Sequence, residues 1–167
     1  MKTNRKLIAS AALAALLLVP ACREKGDPKA DLAAVSGVLE QVASAMKAGD
    51  VDAIMGLYED DPAPVGFFIG GEMTGKQAIR QGWEQFFARN KVVSIDFTDV
   101  HNKLDRHLAV TYCLWKLVVE SDGVEREMNG RLTSVLGKHE GKWYIHHDHI
   151  SIPFAAPTLP AAAEQEQ

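Results

Sequence analysis

The chain has 167 residues, 24% of them charged, and a formal net charge of −4. That length gives one domain with a sizeable core. Acids outnumber bases, 22 to 18, with no basic cluster. This speaks against nucleic-acid binding, whose affinity rests on neutralising phosphates. Two cysteines, Cys22 and Cys113, limit the chain to one disulfide at most.

Residues 1–21 read as an export signal: Lys2, Arg5 and Lys6 form a positive start, and Leu7 to Val19 is an apolar run too short for a stable transmembrane helix. The run ends in Val19-Pro20-Ala21-Cys22, which resembles a bacterial lipobox, where the cysteine is acylated and becomes N-terminal on cleavage. The resemblance implies a lipoprotein anchored through Cys22 and facing the periplasm. Arg23 follows Cys22 where an aspartate would retain such proteins on the inner membrane in enteric bacteria, so the outer membrane is the expected location. An ordinary signal peptide cut near Ala21 is the alternative, and it exports the chain equally. With Cys22 acylated, Cys113 stands alone in an apolar segment, as a buried structural thiol.

Residues 22–28 form a polar tether and 29–154 the folded domain. Asp27-Pro28 opens a first helix, an acceptor at the cap and proline in the first turn. Leu32, Val35, Leu39, Val42 and Met46 give it one apolar stripe. Gly49 ends it, and Asp50 caps a short second helix running to about Tyr58. After a break at residues 60–64, Val65 to Ile69 reads as a short strand ended by Gly70-Gly71. Thr74 and Gln77 have capping-box spacing for a third helix, whose apolar face holds Ile79, Trp83, Phe86 and Phe87. Long strands follow over 92–104, 107–120, 124–138 and 142–153, rich in Val, Leu, Tyr and Trp, with Asp122-Gly123 as a hairpin signal. Residues 155–167 have no periodicity and few large apolar groups, the composition of a disordered tail. This element order predicts an α+β domain in two layers, with a curved antiparallel sheet over three N-terminal helices and a cavity between them.

The order helix, helix, strand, helix, meander, with Gly75-Lys-Gln-Ala-Ile79 and the closing Arg-x-Thr-x-Val…Glu-Gly-Lys-Trp…His-x-His-x-Ser, resembles the NTF2-like superfamily. Within it the chain looks like the SnoaL-like and ketosteroid-isomerase-like group, and the closing motif is also similar to the association domain of calcium/calmodulin-dependent kinase II. The resemblance spans about Asp31 to Phe154 and implies a cone-shaped fold. It is weak for function, because this fold hosts isomerases, hydrolases, cyclases, binders and assembly modules.

The closing hairpin carries the site expectation. Trp143, Ile145, His147, His149 and Ser151 alternate along one strand and so share a face. A three-residue loop at His139-Glu140-Gly141 pairs Lys138 with Lys142 and brings Arg131 and Thr133 onto that face. A two-residue loop at Glu140-Gly141 brings Leu132 and Ser134 there instead. The three-residue loop is favoured, because a type I′ turn asks for Asn, Asp or Gly at both central positions. The expected ligand-binding set is then Tyr58, Trp115, Arg131, Thr133, Trp143, His147, His149 and Ser151, with His146 and Asp148 on the opposite, convex face.

Three readings of that set compete. It is a hydrogen-bonded lining with no further role, a metal site on His147-x-His149, or a pocket for a small polar or carboxylate-bearing ligand held by the Arg131 fork. Arg131 would repel a cation, so no metal or cofactor is expected, and the ligand pocket is preferred. His147 or His149 as an acid/base group makes an isomerase- or hydrolase-type enzyme the alternative. The resemblance itself supplies no base: Ala63 stands before Pro64-Val65-Gly66 where the isomerases carry aspartate, with Asp61 two residues early. No aspartates flank Arg131 as the hydrolases' relay requires. A third expectation is a homodimer through a convex face formed by Leu132, Leu136, Tyr144, His146 and Ile150.

Overall fold

The computed structural model describes residues 27–60 and 63–153. The signal, Cys22, Asp61 and the tail at 155–167 lie outside the described residues. Helix α1 spans Pro28–Ala48, α2 Val51–Met55 and α3 Lys76–Phe87, and the strands are β1 Val65–Phe68, β2 Gly71–Thr74, β3 Lys91–Asp105, β4 Leu108–Ser121, β5 Val124–His139 and β6 Lys142–Ser151.

Both N-terminal caps follow the sequence. The Asp27 carboxylate accepts from Lys29 N at 2.9 Å and that of Asp50 from Ala53 N at 2.9 Å, and Gly49 closes α1 in the left-handed region at φ 65°. Val35, Val38, Leu39 and Met46 of α1 are buried, whereas Leu32 lies outside the expected stripe at 44% exposure. Helix α2 stops at Met55, before Tyr58. Its last residues lead into a short parallel bridge in which Ile145 N donates to Leu57 O at 2.7 Å and Glu59 N to Ile145 O at 3.2 Å. The Thr74 capping box does not form: Gly75 occupies the cap position at φ 85° without a side-chain bond, and Thr74 Oγ1 meets Glu72 instead.

The six strands form one sheet in the order β2-β1-β6-β5-β4-β3. Gly70-Gly71 does not end the first strand's ladder but turns it into a hairpin, with β2 pairing back on β1. Strand β1 runs parallel to β6, so the sheet is mixed rather than wholly antiparallel. The three helices cover one face. On that inner face lie Ala109, Thr111, Cys113, Trp115, Leu117 and Val119 of β4 and Leu132, Ser134 and Leu136 of β5, all buried. Each fully buried side chain such as Ile54 or Leu136 contributes about 1.5–3 kcal/mol.

One ion pair fastens the start of α1 to the closing hairpin. Asp31 Oδ1 accepts from Lys138 Nζ at 2.5 Å and from Trp143 Nε1 at 3.1 Å. The Lys138 hydrogen bond holds the Asp31 carboxyl below its ordinary range, with the Trp143 donor adding to it.

The hairpin itself departs from the expected register in two ways, which add to a shift of two residues. The loop has two residues, with Glu140 at φ 48° and Gly141 at φ 80°, and His139 pairs with Lys142. A bulge then follows: Leu136 faces Ile145 while Val135 faces His147, leaving His146 as the extra residue. The extra residue inverts the alternation halfway along β6. Trp143 and Ile145 point inward, and beyond the bulge Asp148 and Ile150 do, while His147, His149 and Ser151 face outward.

Candidate functional site

Between the helices and the inner sheet face lies a cavity of about 410 Å³, within the range of about 300–1,000 Å³ usual for small-molecule sites. Its wall is largely apolar, including Val35, Leu39, Ile54, Phe68, Ile79, Trp83, Phe97, Trp115, Leu117, Leu132 and Ile145. Among the described residues that line it, the charged ones are Asp148 and Arg89.

Asp148 is 6% exposed. Its Oδ2 accepts from Tyr58 Oη at 2.5 Å, and its Oδ1 accepts from Ser134 Oγ in a short hydrogen bond. Register explains the cluster. Asn102 faces Thr111, Thr111 faces Ser134 and Ser134 faces Asp148 on successive strands. One polar row thus crosses the inner face of the sheet, completed at one end by Tyr58. At the other end Thr111 Oγ1 donates to Asn102 Oδ1 at 2.6 Å, and Asn102 Nδ2 to Ser36 Oγ of α1 at 3.0 Å.

Burial raises the Asp148 pKa, because desolvation penalises the carboxylate more than the Ser134 and Tyr58 hydrogen bonds favour it. Burial, with the Asp148 charge beside it, pushes the Tyr58 phenol well above its ordinary range. The Cys113 thiol is raised to about 11, again by burial first and Asp148 second, which fits the inert structural thiol expected from sequence. The cluster is therefore a carboxyl group that keeps its proton more readily than a solvated one, held by two hydroxyls in an apolar vessel. Such a group can donate or accept a hydrogen bond, and can move a proton to or from a bound oxygen or carbon.

Two of the eight residues expected to bind ligand, Tyr58 and Trp115, line the cavity. Trp143 is buried but belongs to the core beside Asp31. Arg131, Thr133, His147, His149 and Ser151 do share one face, as expected, but it is the outer one. There His147 bonds Val65 O through Nδ1 at 2.8 Å, and Phe67 meets both imidazoles edge-on at 5.0 and 6.0 Å. The two-residue loop turns Arg131 and Thr133 outward, and the bulge at His146 does the same to His147, His149 and Ser151 by exchanging the two faces of the strand's second half. The loop and the bulge together correct the expected convex patch: Leu132, Leu136 and Ile150 line the cavity. His146 stays outside, its ring over Gly137, where a Cβ would lie 2.3 Å from Nε2. The sequence pattern puts Asp148 on the convex face and Ser134 inward only in the disfavoured register, whereas both face inward. The signal for both was in β5, where buried-type Leu132 and Leu136 flank Ser134 at alternate positions. The described residues hold no group of three or more His, Cys, Asp or Glu arranged to bind a metal.

The model of the SnoaL-like domain matches residues 35–155. An NTF2-like protein of unknown function from Pseudomonas putida KT2440 shares the fold at TM-score 0.67 and 22% identity, over 85% of this chain and 100% of that one. An NTF2-like family protein from Streptomyces avermitilis superposes at TM-score 0.67 with 18% identity, over 77% and 100%. An NTF2-like superfamily protein from Salmonella enterica does so at 0.66 with 15% identity, over 80% and 94%. No curated protein sequence matches this chain significantly.

Proposed function

The chain belongs to the SnoaL-like domain family, and from that premise we propose that its cavity binds a small, largely apolar molecule by one neutral oxygen, hydroxyl or carbonyl, read by the Tyr58–Asp148–Ser134 cluster. The observation that carries this reading is a buried carboxyl with two hydroxyl partners in an otherwise apolar wall. A buried polar cluster in such a wall gives a ligand its orientation, and the wall gives it affinity. The carboxylate grip expected from Arg131 is withdrawn, since that residue faces outward. In a titration followed by tryptophan fluorescence, 2-naphthol should bind about tenfold tighter than naphthalene, the worth of one net hydrogen bond. The preference should vanish in Asp148→Leu. Equal affinities for the two compounds in the unaltered protein would overturn the reading.

A second reading is favoured by the raised carboxyl itself: Asp148 as the acid/base group of an isomerase or lyase, in the place expected for His147 and His149. The Streptomyces avermitilis protein is described as a proposed dehydratase, but at 18% identity it attests the fold alone. Turnover of a β-hydroxy carbonyl probe, lost in Asp148→Asn with folding intact, is the supporting result.

We also propose that the chain is exported and acylated on Cys22, on the strength of the lipobox-like sequence. Labelling with a fatty-acid analogue should tag the intact chain and not Cys22→Ala. For self-association we propose the outer sheet face, where Phe67, Leu108, Tyr112 and Leu114 are 43%, 51%, 40% and 46% exposed. A water-facing sheet surface is ordinarily polar. Light scattering should give a dimer mass that Leu114→Glu halves, and a monomeric unaltered protein would sink the idea.

A further inference from the structure

Arg89 stands at the cavity's rim, just past the end of α3 and two residues before β3 begins, and it has no carboxylate partner among the described residues. Its place relative to Asp148 follows from the ladders. Asn90 and Ile95, close to it in sequence, line the same cavity, and Ile95 faces Leu117, which faces Met128. The polar row crosses β4 at Thr111. Thr111 and Leu117 are six residues apart on one strand, or about 20 Å at ~3.4 Å per residue. Both line the cavity, so it is elongated, with the buried carboxyl toward one end and the guanidinium toward the other.

We propose that the site takes an elongated amphiphile carrying a carboxylate at one end and a neutral hydroxyl or carbonyl at the other. Its anion rests on Arg89 at the mouth, and its neutral oxygen reaches Tyr58, Asp148 and Ser134. This rests on the reading that the cavity binds a ligand, and it adds the ligand's length, charge and direction. The direction is set by charge. A carboxylate driven to the deep end would meet the buried Asp148 without a cation to pair with, while at the rim it meets a planar fork of donors that stays partly hydrated.

The test compares 12-hydroxydodecanoate with 1,12-dodecanediol by calorimetry on the full domain. The expected result is a preference of about twofold to fivefold for the carboxylate, the worth of one exposed charge pair. That preference should shrink at high salt and collapse toward one in Arg89→Ala, with Arg89→Lys retaining part of it. Equal affinities for the two compounds, or a preference that survives Arg89→Ala, overturn the proposal. Binding of the diol reports on the cavity reading alone. If the diol binds without any carboxylate preference, the cavity reading stands and this inference falls. If neither compound binds, both fall.

Discussion

Tyr58 and Asp148 are 90 residues apart in sequence, and a 2.5 Å hydrogen bond joins them at the deep end of the cavity. Both side chains owe that place to an irregularity of the backbone. Tyr58 arrives through a single bridge to Ile145, and Asp148 through a bulge at His146. The site is thus assembled from two irregularities of the backbone meeting across one strand.

Asp148 gives the protein a pH signature. Burial raises its pKa above the ordinary carboxylate value, so between the unfolded and the folded pKa the native state holds the extra proton. Its contribution to stability is full below the unfolded pKa and is lost as pH rises through the folded pKa. Asp148→Asn removes this titration. In urea unfolding at a series of pH values, the stability of the variant relative to the unaltered protein should climb across that window. A parallel pair of curves would refute the assignment.

Asp31 works in the opposite sense. Its pKa is lowered, chiefly by the Lys138 hydrogen bond, so its contribution is present above the unfolded pKa and lost as pH falls through the folded one. Asp31→Asn should therefore flatten the acid limb of the same stability profile. An unchanged acid limb would show that α1 is fastened to the hairpin by something else.

Gly137 and Gly130 make a matched pair of tests. A Cβ at Gly137 meets the His146 ring at 2.3 Å, a side chain that can swing away. A Cβ at Gly130 meets the Trp115 ring at 2.2 Å and the Ser151 carbonyl at 2.5 Å, and the latter is backbone. Each alanine should destabilise by about 1–3 kcal/mol. Adding His146→Ala should rescue Gly137→Ala, whereas no single side-chain truncation should rescue Gly130→Ala. Thermal melts of the double variants distinguish the cases.

Glu140 occupies a turn position at φ 48° that favours Asn or Gly. Glu140→Asn should stabilise the domain by about 1 kcal/mol, the relief of a left-handed non-glycine residue. Denaturant midpoints measure it, and a loss of stability would mean that Glu140 makes contacts outweighing its strain.

Much of the fold was legible because it is written in local chemistry: Asp27 and Asp50 as caps, Gly49 as a stop, and the alternation of β3 to β5. The β1–β2 hairpin was missed because Gly70-Gly71 marks a turn and a terminus equally well. The site was half legible. The sharing of one face by Arg131, Thr133, His147 and His149 came through, but in a shifted register. The shorter turn shifts the pairing by one residue and the bulge by one more, so Arg131 faces Ser151 rather than His149 and only the parity survives. Which face of β6 looks inward depends on His146 being unpaired, and nothing in Ile-His-His-Asp-His-Ile announces which residue a partner strand will skip.

That unpaired histidine has a consequence for how such vessels diversify. A point substitution in β6 changes one group in the interior. Pairing His146 into the ladder, with the residue kept and the bulge lost, would shift the rest of the strand by one position, withdrawing Asp148 and presenting two imidazoles and the Ser151 hydroxyl in its place. Acid-lined and imidazole-lined versions of this fold therefore differ by whether one residue is paired or skipped, closer in sequence than their chemistry suggests.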